Sequence, residues 1–160
     1  MLNAELSTQT KDTQEVLQLI QLSPEEITED WEAVSEGVLN SAPPTTEITE
    51  KFKDNLYKQL LNGNLTCYGL YESGNPILLI TFQLTGDIVA TSLNLMIYSI
   101  YAYRNITMQE WHYLLNVVKK IAKERNCSKI VAFTNVERVI NIVNILGGNT
   151  ETRLIQLEVL

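Results

Sequence analysis

The sequence predicts an α/β fold with a mixed, mostly antiparallel sheet and helices on both faces. Three observations carry this. Apolar segments between positions 65 and 103 are separated by two short turn signals, the pattern of an antiparallel meander. Segments before and after the meander repeat their apolar residues at helical spacing. Beyond it, helical and strand patterns alternate, which lays further strands beside the meander and helices over it. The element order read from the chain is β-α-α-β-β-β-α-β-α-β.

Residues 1–12 form a polar stretch expected to be a flexible arm, and residues 13–160 a single domain. "EVLQLIQL" is short and apolar and is expected to give a first strand, about 14–20. In "SPEEITEDWEAVSEGVL", Ser23 can cap, Pro24 suits the first helical position and Glu26 completes a capping box. Ile27, Trp31, Val34 and Val38 keep helical spacing, so one helix is expected over 24–38. "NSAPPTT" breaks it. "EITEKFKDNLYKQLLNGN" is a second helix, with Ile48, Phe52, Leu56 and Leu60 on one face and Gly63 as its stop.

"LTCYGLY" and "PILLITFQL" are strands joined at "ESGN", and a turn at "TGD" leads to a third and longest strand, "IVATSLNLMIYSIYAY". Thr107 and Glu110 form another capping box. Trp111, Leu114, Leu115, Val118, Ile121 and Ala122 make the stripe of the helix that follows. "SKIVAFT" is a strand opening at Ser128. Asn135 is placed to cap a short helix with Val136, Val139, Ile140, Val143 and Leu146 inward, ended by Gly147 and Gly148. "TETRLIQLEVL" then reads as a closing strand with Ile155, Leu157 and Val159 on one face.

The formal net charge of −7 argues against nonspecific nucleic-acid binding. Residues 1–55 hold 12 acids and 3 bases, while residues 56–160 hold 7 acids and 9 bases. The cluster Lys119, Lys120, Lys123, Arg125 and Lys129 suits the solvated C-terminal end of a helix, where the dipole favours cations. Its other reading is attraction for an anionic ligand. Cys67 and Cys127 belong to no CxxC pair and are expected to be reduced thiols, and the single His112 gives no basis for a zinc site. No apolar run is long enough to span a bilayer, and no cationic start precedes an apolar core as in a signal peptide. The expected location on these grounds is the cytoplasm. No GxGxxG or Walker motif occurs.

The order of elements, and above all "WHYLLNVVKKIAKERNCSKIVAFTNVERVINIVNILGG", resembles the GNAT superfamily of N-acetyltransferases. The resemblance implies a GNAT-like fold over about 13–160 and raises three requirements of chemistry. That family holds the pyrophosphate of acetyl-CoA where the central strand meets the next helix, on bare backbone N–H groups behind an Arg or Gln. Here Arg104 matches the first position, but the two glycine positions fall on Thr107 and Gln109, and Thr107 is the expected cap. The family's general-acid Tyr falls on Val143, and the usual aromatic after the helix falls on Gly148. The central strand offers no Asp, Glu or His as a base; only Ser99, Tyr101 and Tyr103 are polar near that end, and His112 lies one turn into the helix. The segment "TNVERVINIVNILGG" is also similar, more loosely, to GNAT-like internal virion proteins of short-tailed phages.

The resemblance thus implies a non-enzymatic GNAT-like interaction or structural module with no catalytic residues, no cofactor and no metal. It would act through a protein partner or as a homo-oligomer, in a phage virion if the looser similarity holds. The alternative is an acyl-CoA-dependent N-acyltransferase acting on a cationic amine through a divergent loop. Arg104, Asn105, Ile106, Thr107, Met108 and Asn135 would then hold acetyl-CoA, its pantetheine arm pairing with the central strand.

Overall fold

Strand pairing follows the turn chemistry of the chain. The computed structural model describes residues 16–152 and 154–159; the N-terminal arm expected at 1–12 lies outside them. The strands are β1 (Leu17–Gln21), β2 (Leu65–Glu72), β3 (Asn75–Asp87), β4 (Ser92–Ala102) and β5 (Lys129–Ala132), in the spatial order β1-β2-β3-β4-β5. Every neighbouring pair is antiparallel except β4 and β5, which are parallel. The β2–β3 turn falls at "ESGN", as the sequence predicts. Ser73 and Gly74 both have positive φ, 47° and 84°, the requirement of a type I′ hairpin.

The helices are α1 (Pro24–Glu29), α2 (Trp31–Ser41), α3 (Phe52–Leu61), α4 (Met108–Glu124) and α5 (Glu137–Ile145). One face of the sheet, through Leu65, Cys67 and Leu79, packs with Ile27, Val34, Val38, Leu56 and Leu60 of α1–α3. The other face, through Leu70, Leu78, Ile80, Phe82 and Leu95, packs with Leu114, Val118 and Ala122 of α4. Phe82 is wholly buried. On the α1–α3 face the ring of Tyr71 lies over Gly69: a Cβ at 69 would sit 2.7 Å from a ring carbon.

The structure corrects several expectations. β1 ends at Gln21, one residue past the expected 20, and leaves out Val16; positions 14 and 15 of the expected strand lie outside the described residues. The helix expected over 24–38 is two helices divided at Asp30, whose backbone (φ −99°, ψ 22°) leaves helical geometry. The division re-aims α2 while Ile27, Val34 and Val38 all stay buried, and Trp31 meets Tyr57 edge to face at 5.0 Å. α2 continues to Ser41 because its stop is Pro43, which forces Ala42 before it into extended geometry (ψ 151°). α3 starts only at Phe52, so Ile48 lies outside it and is half exposed. β3 runs on to Asp87, and the turn expected at "TGD" falls on 88–91. The Asp87 carboxylate accepts the N–H of Val89 and of Ala90, both at 2.9 Å, and that moves the turn.

β5 is four residues long, shorter than the segment expected from Ser128. α5 is capped at Val136 with no side-chain bond, not at Asn135, and its buried residue is Ile142 while Val136 is exposed. Gly147 and Gly148 do end it. Gly148 N–H donates to Val143 O at 2.8 Å and Gly147 N–H to Asn144 O at 3.2 Å, a Schellman ending with Gly147 at φ 83°. The closing strand does not form among the described residues: 154–159 pair with no strand, and Ile155, Leu157 and Val159 are exposed. The observed order is β-α-α-α-β-β-β-α-β-α, and the fold class expected from the sequence holds.

Candidate functional site

The β4–α4 junction is built around its helix cap. Tyr103 N–H donates to Ile77 O at 3.0 Å and fixes the start of the loop. Ile106 is buried in the same core as Trp111, so apolar residues flank the cap on both sides, the arrangement of a hydrophobic staple. Thr107 Oγ1 accepts the Glu110 N–H at 3.2 Å, and Glu110 Oε2 accepts the Thr107 N–H at 2.8 Å. The capping box legible in the sequence is present on both arms.

Arg104 closes onto the same carboxylate. Its Nη1 donates to Glu110 Oε2 at 3.0 Å and its Nη2 to Glu110 Oε1 at 2.8 Å, a two-point match of guanidinium and carboxylate. Nη2 also pairs with Glu72, and Nη1 donates to Asn105 O at 2.7 Å. Glu110 is only 7% exposed. The hydrogen bond from Arg104 pulls its carboxyl from the usual 4.5 down to about 2, against the opposing pull of burial, with the Thr107 N–H adding to the fall. The same bond pushes the Arg104 guanidinium up. One cation and two carboxylates therefore form a closed cluster at the helix start.

Of the other predicted residues, Asn105 accepts from Arg138 at 3.2 Å, which ties the loop to the first turn of α5. Met108 is the first residue of α4 and is 39% exposed. Asn135 is exposed on the β5–α5 connection, three positions before Arg138. Arg104 to Met108 thus share one corner with Arg138. Sequence reasoning missed Glu72 and Arg138. Glu72 stands 32 positions before Arg104 and reaches it only through the hairpin, and Arg138 carries no motif.

Val143, at the position of the family's general acid, is half buried, and a Cβ at Gly148 would lie 2.3 Å from Val143 Cγ1. The Ser99 hydroxyl is buried and hydrogen-bonded to Thr81 across the sheet. Tyr101 and Tyr103 meet edge to face at 5.5 Å, and burial pushes the Tyr103 hydroxyl up. His112 is exposed. Burial pushes the Cys67 thiol up to about 12, away from nucleophilic use, and both cysteines are free. In the basic cluster Arg125 turns inward and donates to the Tyr68 hydroxyl at 3.2 Å, while Lys119, Lys120, Lys123 and Lys129 are exposed. Among the described residues no group of His, Cys, Asp and Glu could hold a metal. No helix among them is long and apolar enough to cross a membrane.

One part of β4 is open. Tyr98 is an extra residue, a bulge, because Thr81 faces Ser99 while Phe82 faces Ile97. β5 pairs with β4 only from Asn94 to Ile97. Among the described residues, positions 98–102 therefore have no strand partner on that side.

No family model and no curated protein matches the chain. Solved structures do. A possible acetyltransferase from Clostridium difficile 630 is 16% identical with a TM-score of 0.64, over 91% of this chain and 99% of that one. A ribosomal-protein-alanine N-acetyltransferase from Brucella melitensis biovar Abortus 2308 is 12% identical with a TM-score of 0.66, over 91% and 100%. A predicted acetyltransferase with acetyl-CoA from Clostridium acetobutylicum is 14% identical with a TM-score of 0.66, over 89% and 96%. At these identities the likeness establishes the fold alone: a five-stranded, mostly antiparallel GNAT sheet.

Proposed function

We propose, from the premise that the chain has the GNAT fold, that it is a non-enzymatic interaction module built on an acetyltransferase shape. The observation that carries this reading is the Arg104–Glu110–Thr107 cluster. A diphosphate at a helix start draws on free backbone N–H groups and an unpaired cation. Here Glu110 accepts from Thr107 N–H and Glu110 and Glu72 hold the Arg104 guanidinium, so the chain's own carboxylates take the place of phosphate oxygens. A further anion would meet two acids already in place. Val143 and Gly148 supply no proton donor, which agrees with the reading. On this account the module carries no cofactor and works through a protein partner or a second copy. The similarity of 134–148 to internal virion proteins adds a phage particle as its setting.

One observation favours a second reading, an acyl-CoA-dependent N-acyltransferase acting on a cationic amine. The unpaired side of β4 at 98–102 leaves backbone groups that an extended pantetheine arm could meet by sheet-like pairing. Arg104, Asn105, Ile106, Thr107, Met108 and Asn135 would then surround the nucleotide end.

Acetyl-CoA separates the two. A ligand at one hundred times its dissociation constant adds about 2.7 kcal/mol of stability. The expected result is no change in thermal midpoint at millimolar acetyl-CoA. A rise of several degrees overturns the module reading and restores the transferase.

A further inference from the structure

We infer that the β3–β4 hairpin docks the protein on an anionic lipid surface, with Ile88 and Val89 entering the lipid and lysines behind them meeting the headgroups. The ribbon stands clear of the sheet. β2 pairs with β3 only as far as Leu65 and Gln83, and β5 pairs with β4 only from Asn94. Past Gln83, β3 continues to Asp87, which pairs with Ser92, so the ribbon projects about 14 Å beyond β2 at the ordinary strand rise. Its apex is apolar. Ile88 and Val89 are 92% and 91% exposed, and the part-exposed Leu84 and Leu93 continue the apolar surface along the ribbon. Leu84 and Leu93 share a face with Phe82 and Leu95, which pack under α4. The Asp87 carboxylate accepts the N–H groups of Val89 and Ala90, so two apex donors need no water.

Charge identifies the surface. Lys129 opens β5 in register with Asn94, about 7 Å behind the last ladder pair of the ribbon. Lys123 lies in the last turn of α4, and the chain after it is tied to the ribbon, since Ser128 N–H donates to Leu93 O at 2.8 Å. Lys119 and Lys120 are exposed one turn further back. Among the described residues none of these four lysines forms an ion pair. Residues 119–129 hold five bases and one acid, Glu124, in a chain of net charge −7, and the apex adds only Asp87. The acids Glu25, Glu26, Glu29, Glu32 and Glu36 belong to α1 and α2, over the opposite face of the sheet. A bilayer surface is apolar beneath its headgroups and, where lipids are anionic, draws lysines to them. It meets an apolar tip and the cations behind it in that order. A protein partner fits less well. Two aliphatic side chains on a convex apex offer far less than the roughly 800 Å² that each side of a specific protein interface contributes, and they include no aromatic anchor. A fluid surface needs no matching pocket.

This goes beyond the reading of the Arg104 loop and does not depend on it, since either outcome with acetyl-CoA leaves it standing. Co-sedimentation of the full chain with vesicles at low salt tests it, with phosphatidylcholine alone set against phosphatidylcholine mixed two to one with phosphatidylserine. The wild type should bind the mixed vesicles at least about ten-fold more tightly than the neutral ones. I88S/V89S should bind the mixed vesicles at least about ten-fold less tightly than the wild type. K123Q/K129Q should lose about five-fold for each lysine on the mixed vesicles and nothing on the neutral ones. All four positions are exposed, so both variants should keep the wild type's thermal midpoint, and a loss of binding then reads the surface and not the fold. A wild type that stays in solution with both vesicles overturns the inference and leaves the tip to an acidic protein. Equal binding to the two vesicles overturns it, as does either variant binding the mixed vesicles as the wild type does.

Discussion

Glu110 holds two jobs with one carboxylate, and its titration reports them. It accepts the Thr107 N–H and both arms of Arg104 while almost fully covered. A carboxyl whose folded pKa is depressed stabilises the fold above its unfolded value and loses that contribution as pH falls through the folded one. Here the window runs from about 4.5 down to about 2. E110Q should therefore lose about 2 kcal/mol near neutral pH, the scale of a charge-assisted hydrogen bond. The gap between wild type and variant should close as the pH falls through that window, read from urea midpoints at a series of pH values. A gap that does not change with pH would mean the carboxylate's charge contributes nothing there. The cap itself was legible, because Thr107 and Glu110 sit three apart at the start of an apolar stripe. That Arg104 would turn onto it was not, because its other partner, Glu72, arrives through a hairpin that joins distant parts of the chain.

The elements show where local chemistry decides and where the sheet decides. The hairpin at Ser73–Gly74, the start of α4 and the stop of α5 were legible because φ and capping demands name their residues. The break at Asp30 was not: the stripe Ile27, Trp31, Val34, Val38 keeps its period across it, and only packing on the sheet shows that two helices place it better. The closing strand expected near the end of the chain rested on period-two apolar residues, but a strand forms only where an edge pairs with it, and among the described residues 154–159 meet none. Thr81 and Ser99 illustrate the same dependence within β3 and β4. Both are buried, and their hydroxyls satisfy each other across the sheet. T81V should cost about 1–3 kcal/mol, because Ser99 keeps a buried hydroxyl with no partner. T81V/S99A should cost clearly less than the sum of the two single changes, measured as a double-mutant cycle in urea. Simple additivity would show that the hydroxyls do not act as a pair.

At the scale of the molecule, two cores share one sheet. β3 lends Leu79 to the α1–α3 side and Leu78, Ile80 and Phe82 to the α4 side, so neither layer can leave without baring the strand beneath the other. Each layer carries one tryptophan, Trp31 on the first and Trp111 on the second. Single-tryptophan variants W31F and W111F should report coincident unfolding midpoints. F82A, which empties the α4 side, should lower both by the same amount and cost about 3–5 kcal/mol. Separate midpoints would mean that the layers unfold on their own. The acidic N-terminal layer and the carboxylate-filled cap then share one scaffold. That scaffold has a shielded point close to its margin. With the Tyr71 ring laid over the bare backbone of Gly69, β2 is roofed by its own aromatic one strand in from the edge. A side chain at 69 would have to displace that ring, so the strand beside the border strand β1 keeps bare backbone at this point.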